Sequence, residues 1–153
     1  MYSRRKWGKL VVKVPTRLSV SISEPERRLR VFLVEDSEVL RNRLDEWLSA
    51  NPGVVVIGSA REAGTAIPEI MRLCPHVVIL DIALARSTSG FDVLRAIANG
   101  GCPQRPAVLV FTNHARPPYR DAAMRLGAAQ FYDKHSDFMS MMQEVARRAE
   151  ARA

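Results

Sequence analysis

The 153-residue sequence has no long apolar run: no uninterrupted stretch of apolar residues exceeds about five. A spanning helix needs roughly 18 or more, so membrane insertion is not expected. The N-terminus is basic, as a secretory leader's would be, but Lys13 and Arg17 break what should be its apolar centre, and no small-residue cleavage site follows. The chain therefore reads as cytoplasmic. Cysteine is scarce as well. Cys74 and Cys102 stand alone, without a CxxC pair and without histidine at ligand spacing, which excludes a disulfide framework and a zinc site and leaves free, buried thiols as the expectation. A glycine-rich dinucleotide fingerprint, a P-loop and a DxD pair are also missing.

An excess of one charge sign is present, at +7, but its distribution is uneven. Residues 1–28 carry eight Lys or Arg against two Glu, net +6, and the rest is close to neutral. The sequence thus divides into a basic N-terminal extension, 1–28, and a domain over 29–153. Trp7 among basic residues would suit nucleic acid, yet a mobile extension is the simpler reading and nucleic acid is not an expected partner. The alternation in "LVVKV" and "RLSVSI" leaves an added edge strand or a homodimer contact open, and an incorrectly assigned start codon is a separate alternative.

From residue 29 onward, short runs rich in Val, Ile and Leu recur at 29–34, 54–59, 77–80, 107–111 and 129–132, the signature of strands covered on both faces. Helical segments lie between them. Ser37 is a good N-cap for the first, which places Leu40, Leu44, Trp47 and Leu48 on one face and ends at Asn51-Pro52-Gly53. A second spans about 61–73, where Pro68 predicts a kink or a late start. A third runs from Gly90, and a fourth opens on Pro117 and Pro118 and closes at Gly127. The fifth carries Phe138, Met141, Met142, Val145 and Ala149 on one stripe, so its methionines belong to core or interface. Five strands alternating with five helices predict an α/β fold: a (βα)5, doubly wound, five-stranded parallel sheet of flavodoxin-like type.

Ligands of such sheets bind at the carboxyl ends of the strands. There the sequence places Glu35 and Asp36 after strand 1, Asp81 after strand 3, Thr112 after strand 4 and Lys134 after strand 5. Grouped carboxylates repel one another unless a cation joins them, so the acids predict a hard divalent ion such as Mg2+. A lysine and a threonine beside it would neutralise and hydrogen-bond a phosphoryl group. One carboxylate would then be the nucleophile, though the pattern alone does not say which. His76, at the start of strand 3, reads as a surface residue, and His114 as a solvated loop residue or an orienter of water.

The stretches "VFLVEDS", "VVILDIAL", "VLVFTN" and "GAAQFYDK" resemble, in order and spacing, the motifs of two-component response-regulator receiver domains, over about residues 29 to 151. The resemblance implies that Asp81 is the phosphoacceptor, and that Asp36, Asp81 and the backbone carbonyl of Ala83 hold Mg2+ directly, with Glu35 acting through water. It further implies that Thr112 binds a phosphoryl oxygen and shifts towards it, and that Lys134 pairs with Asp81 or its phosphate. Phe131 matches the aromatic switch that reports to the face made by the fourth helix, fifth strand and fifth helix. The implied donor is a histidine kinase or phosphotransfer protein, and the implied output is an unnamed downstream protein met through that face. About 19 residues follow Lys134, so a stand-alone receiver with no output domain is expected, a phosphoacceptor signalling protein rather than an enzyme. The alternative is a receiver-like interaction module that is not phosphorylated. The sequence departs from the commonest family pattern at Ala85, where proline is usual, at Gly90, one residue late, and at His135, also usually proline. A cis bond before a non-proline residue costs about 3 kcal/mol, so a trans bond is expected before His135.

Overall fold

A computed structural model describes residues 24–84 and 89–153. The order is α1 (Glu24–Arg27), β1 (Leu29–Val34), α2 (Glu38–Ser49), β2 (Val54–Ala60), α3 (Ala63–Leu73), β3 (Val77–Leu80), α4 (Gly90–Ala98), β4 (Ala107–Thr112), α5 (Pro117–Arg125), β5 (Gln130–Asp133) and α6 (Phe138–Glu150). The five strands are parallel and lie in the order β2-β1-β3-β4-β5. The alternating (βα)5 pattern expected from the sequence is present, preceded by one extra helical turn. The possible edge strand in the extension falls outside the described residues, apart from residues 24–28.

Each central strand is apolar on both sides because each is covered on both sides. Leu44 and Leu48 of α2 pack with Met141, Val145 and Ala149 of α6 against one face, where Val31, Leu33, Ile79 and Leu109 point. Ala66 and Ile70 of α3, Val93, Leu94 and Ile97 of α4 and Ala123 of α5 cover the other, against Phe32, Val34, Val78 and Val110. Each of the larger side chains among these contributes roughly 1.5–3 kcal/mol on leaving water, and the two layers together hold the strands in place. The periodicity erred at Trp47. It is 43% exposed and packs its ring at a tilt against Phe138, with centroids 4.5 Å apart, so it bridges α2 to α6 at the margin of the layer.

Local signals account for most boundaries. Ser37 Oγ accepts the Leu40 N–H and Ser89 Oγ accepts the Phe91 N–H, so both helices begin on satisfied caps. α3 begins at Ala63 and runs through Pro68, which rules out a late start. The proline removes the bond that Gly64 O would receive, and Gly64 is exposed, so water reaches that carbonyl. No cis peptide occurs among the described residues, in agreement with a trans bond before His135.

The expectation of free thiols was wrong. Cys74 and Cys102 form a disulfide, with Cα atoms 5.4 Å apart across a separation of 28 residues. Cys74 closes α3 in the left-handed conformation, and Cys102 follows two positive-φ glycines after α4. Sequence spacing could not show this, because the pairing depends on α3 and α4 lying side by side on one face of the sheet.

Candidate functional site

Four of the five strand-end residues meet in a cleft of about 310 Å³ at the carboxyl edge of the sheet, lined by Glu35, Asp36, Asp81, Ala83, His114 and Lys134 among others. β1 and β3 are adjacent and in register through Val34 and Leu80, so the residues that follow them, Glu35 and Asp81, emerge side by side. One carboxylate oxygen from each of Glu35, Asp36 and Asp81 lies within 4.8 Å of the others.

Lys134 holds this group together. Its Nζ donates to Glu35 Oε2 at 2.6 Å and to Asp81 Oδ2 at 2.7 Å. The ammonium is positioned by the backbone: Lys134 N–H donates to Thr112 O, continuing the β4–β5 ladder by one residue. The sequence reading paired Lys134 with Asp81; the second bond, to Glu35, adds to it. Asp81 Oδ1 accepts the Ala83 N–H at 2.9 Å, which fixes the carboxylate's rotation.

Glu35 is almost wholly buried, at 3% exposure. Burial pushes its carboxyl from the usual 4.5 up to about 7, against the opposing pull of Lys134. The Ser37 N–H on Oε1 and Lys134 on Oε2 occupy both of its oxygens. Lys134 is held above its ordinary 10.5: burial works against the charge, and the hydrogen bonds it donates to Asp81 and Glu35 overcome it. Arg41, which the sequence reading did not single out, donates to the carbonyls of Glu35 and Asp36 at 2.7 and 3.2 Å and ties the acidic turn to α2. Its only sequence signal is its place one turn into the helix that follows the acids.

Thr112 is fully buried behind the cleft, and its Oγ1 accepts the His114 N–H at 3.1 Å. It does not line the cleft wall among the described residues. Phe131 is buried, with the Arg120 guanidinium 4.9 Å above its ring. His114 is exposed at the mouth, edge-on to Tyr119. Gly90 lies directly beneath Asp81: its N–H donates to Ile82 O, and a Cβ there would strike the Asp81 carbonyl oxygen and Ile82 Cα. Its displaced position in the sequence is thus matched to the loop it closes, where Ala83 bridges Ser89. His76 lies at the opposite edge of the sheet and is not a plain surface residue. It is half-buried, and its Nδ1 accepts the Arg30 N–H at 2.9 Å.

The family described as the response regulator receiver domain matches residues 31–146. The chain belongs to that family. Among curated relatives, a protein-glutamate methylesterase/protein-glutamine glutaminase of Symbiobacterium thermophilum is 34% identical over 125 residues, covering 80% of this chain and 33% of the relative. The receiver chain thus spans about a third of the length of the first curated relatives it matches. Among solved structures, the signal receiver domain of NarL from Mycobacterium tuberculosis aligns with a TM-score of 0.71 at 27% identity, covering 80% of this chain and 97% of that one. The receiver domain of a LuxO repressor protein from Vibrio parahaemolyticus aligns with a TM-score of 0.70 at 28% identity, over 82% and 92%. The flavodoxin-like receiver fold is therefore established. No helix among the described residues is long and apolar enough to cross a membrane.

The donor set fits a magnesium ion. It consists entirely of hard carboxyl oxygens from three side chains, two of them buried and sharing one ammonium.

Proposed function

We propose that Asp81 accepts a phosphoryl group from a phosphohistidine of a histidine kinase or phosphotransfer protein, and that the phosphorylated domain signals by binding another protein. The observation that carries this reading is the position of Asp81. It is held at both oxygens by Ala83 N–H and Lys134, and it stands beside two further carboxylates in an open cleft.

In the transfer, an Asp81 carboxylate oxygen forms the new P–O bond as the donor's P–N bond breaks, and the departing imidazole takes up a proton. Asp36, Asp81 and the Ala83 carbonyl would hold Mg2+, with Glu35 acting through water. The ion would neutralise charge on the phosphoryl oxygens. Lys134 leaves its carboxylate partner to meet the new phosphate, at no loss of charge pairing. The Thr112 hydroxyl is one residue beyond the sheet register of the cleft and turns towards the phosphate. That motion vacates space beside buried Phe131, which couples the cleft to the face of α5, β5 and α6. Exposed Tyr119 and Met124 on α5 give that face an apolar component for a protein partner.

The test is intact-mass analysis after incubation with a small phosphodonor. One phosphoryl adduct is expected with Mg2+ and none with chelator, and Asp81→Asn abolishes it. An undiminished adduct in Asp81→Asn would remove Asp81 from the role, and no adduct with any donor would favour a receiver fold used only as an interaction module.

A further inference from the structure

At the edge of the sheet opposite Asp81, where strands begin, lies a second and larger cavity of about 590 Å³. Its volume is within the range of small-molecule sites. Five arginines line it: Arg30 from β1, Arg105 from the turn before β4, and Arg147, Arg148 and Arg152 from the end of α6. No acidic residue is in the lining.

The charges are incompletely matched. Arg147 and Arg148 share one carboxylate, Glu144, with bonds of 2.6 to 2.8 Å. Arg30 spends its guanidinium on the Leu73 and Cys74 carbonyls, which hold no full charge. The guanidinium groups of Arg105 and Arg152 have neither a hydrogen bond nor an ion pair among the described residues, and the Nε of Arg152 is buried without a partner. A buried donor left unmade costs about 1–3 kcal/mol, so a folded domain retains one where something else satisfies it. The C-terminal carbonyls of α6 offset part of the positive charge, through a half-charge at most. Burial first, then the nearby Arg152 and Arg30, holds His76 below its usual value.

We infer that this cavity is a binding site for a phosphate-bearing small molecule, whose pyrophosphate-like group engages Arg105 and Arg152. Guanidinium forks match phosphate oxygens in pairs, which a lysine cluster would not do. Pro75 and Pro103 give the cavity apolar wall as well, suited to the rest of a nucleotide-sized ligand. The disulfide partner Cys74 also lines it, so the bond to Cys102 helps fix the loop on which Pro75 and His76 sit. The inference stands independently of the chemistry at Asp81, which is on the other edge of the sheet.

The experiment is calorimetric titration of the full chain, without Mg2+, at about 150 mM salt to screen non-specific contacts. The probes are inorganic pyrophosphate, ATP and a short single-stranded DNA. Saturable binding of pyrophosphate or ATP at one site is expected. It should weaken about tenfold or more, the loss of one to two charged contacts, in Arg105→Ala/Arg152→Ala. Binding should persist in Asp81→Asn and in Arg43→Ala, a charge-matched change on the exposed face of α2. Equal affinity for pyrophosphate and ATP assigns recognition to the phosphates; tighter ATP assigns part of it to the proline wall. Absence of saturation, equal weakening by Arg43→Ala, or DNA binding where neither small probe binds would overturn the inference. Circular dichroism of the double variant confirms that it is folded.

Discussion

Lys134 and Glu35 are joined at 2.6 Å across a sequence separation of 99 residues, beside an Asp81 that is buried as Glu35 is. The bond shows that the ammonium is shared between two carboxylates rather than reserved for one. Glu35 still carries a burial penalty that Lys134 does not cancel.

The pH dependence follows from that penalty. Glu35 ionises near 7 in the fold and near 4.5 unfolded, so between those values the folded state binds more protons. Metal-free stability therefore falls as pH rises from about 4.5 through about 7 and levels off above, by on the order of 3 kcal/mol at most. Mg2+ should restore much of the loss at pH 8 and little at pH 5. Glu35→Gln should flatten the profile, raising metal-free stability at pH 8 while weakening the response to Mg2+. Urea unfolding at both pH values, with Mg2+ and with chelator, checks this.

Lys134→Met leaves two buried carboxylates facing each other. A loss of about 2–4 kcal/mol is expected without metal, since breaking a buried pair strands its charge. Added Mg2+ should recover a large part of it, and phosphoryl adduct yield should fall even where the variant is fully folded.

Gly90→Ala tests the floor of the site. A Cβ there meets backbone rather than a flexible side chain, so the Asp81 peptide must move. The expected cost is about 1–3 kcal/mol of stability, as for other overpacked sites. Phosphorylation at Asp81 should slow, whereas Gly64→Ala, which faces open space on a helix, should leave phosphorylation unchanged and hold or slightly raise stability.

The disulfide closes a loop of 28 residues, for which the chain-entropy account gives about 3–4 kcal/mol. Cys74→Ser/Cys102→Ser, or the wild type under reductant, should lose stability on that scale in denaturant titration. Equal stability of the oxidised and reduced protein would show that packing of α3 against α4 already fixes the loop.

These elements also show where the sequence was informative. The strand positions were legible because a doubly covered strand must be apolar on both sides, and polar residues after such runs then had to lie at one edge. Glu35, Asp81 and Lys134 meet there as expected. Trp47 misled because a helical stripe is wider than the layer that buries it. The cysteine bond, the link from Lys134 to Glu35 and the five-arginine cavity were invisible because each joins segments whose proximity exists only after the strand order is known. Thr112 was found by position, but its burial behind the cleft depends on packing around β4.

The central claim is that Asp81 is the residue that becomes phosphorylated. Borohydride reduction of the phosphorylated protein converts an aspartyl phosphate to homoserine, which peptide sequencing by mass locates. Homoserine at position 81 alone, dependent on Mg2+, is the expected result. Homoserine at position 36 or elsewhere, or none from a protein that carries phosphate, would contradict it.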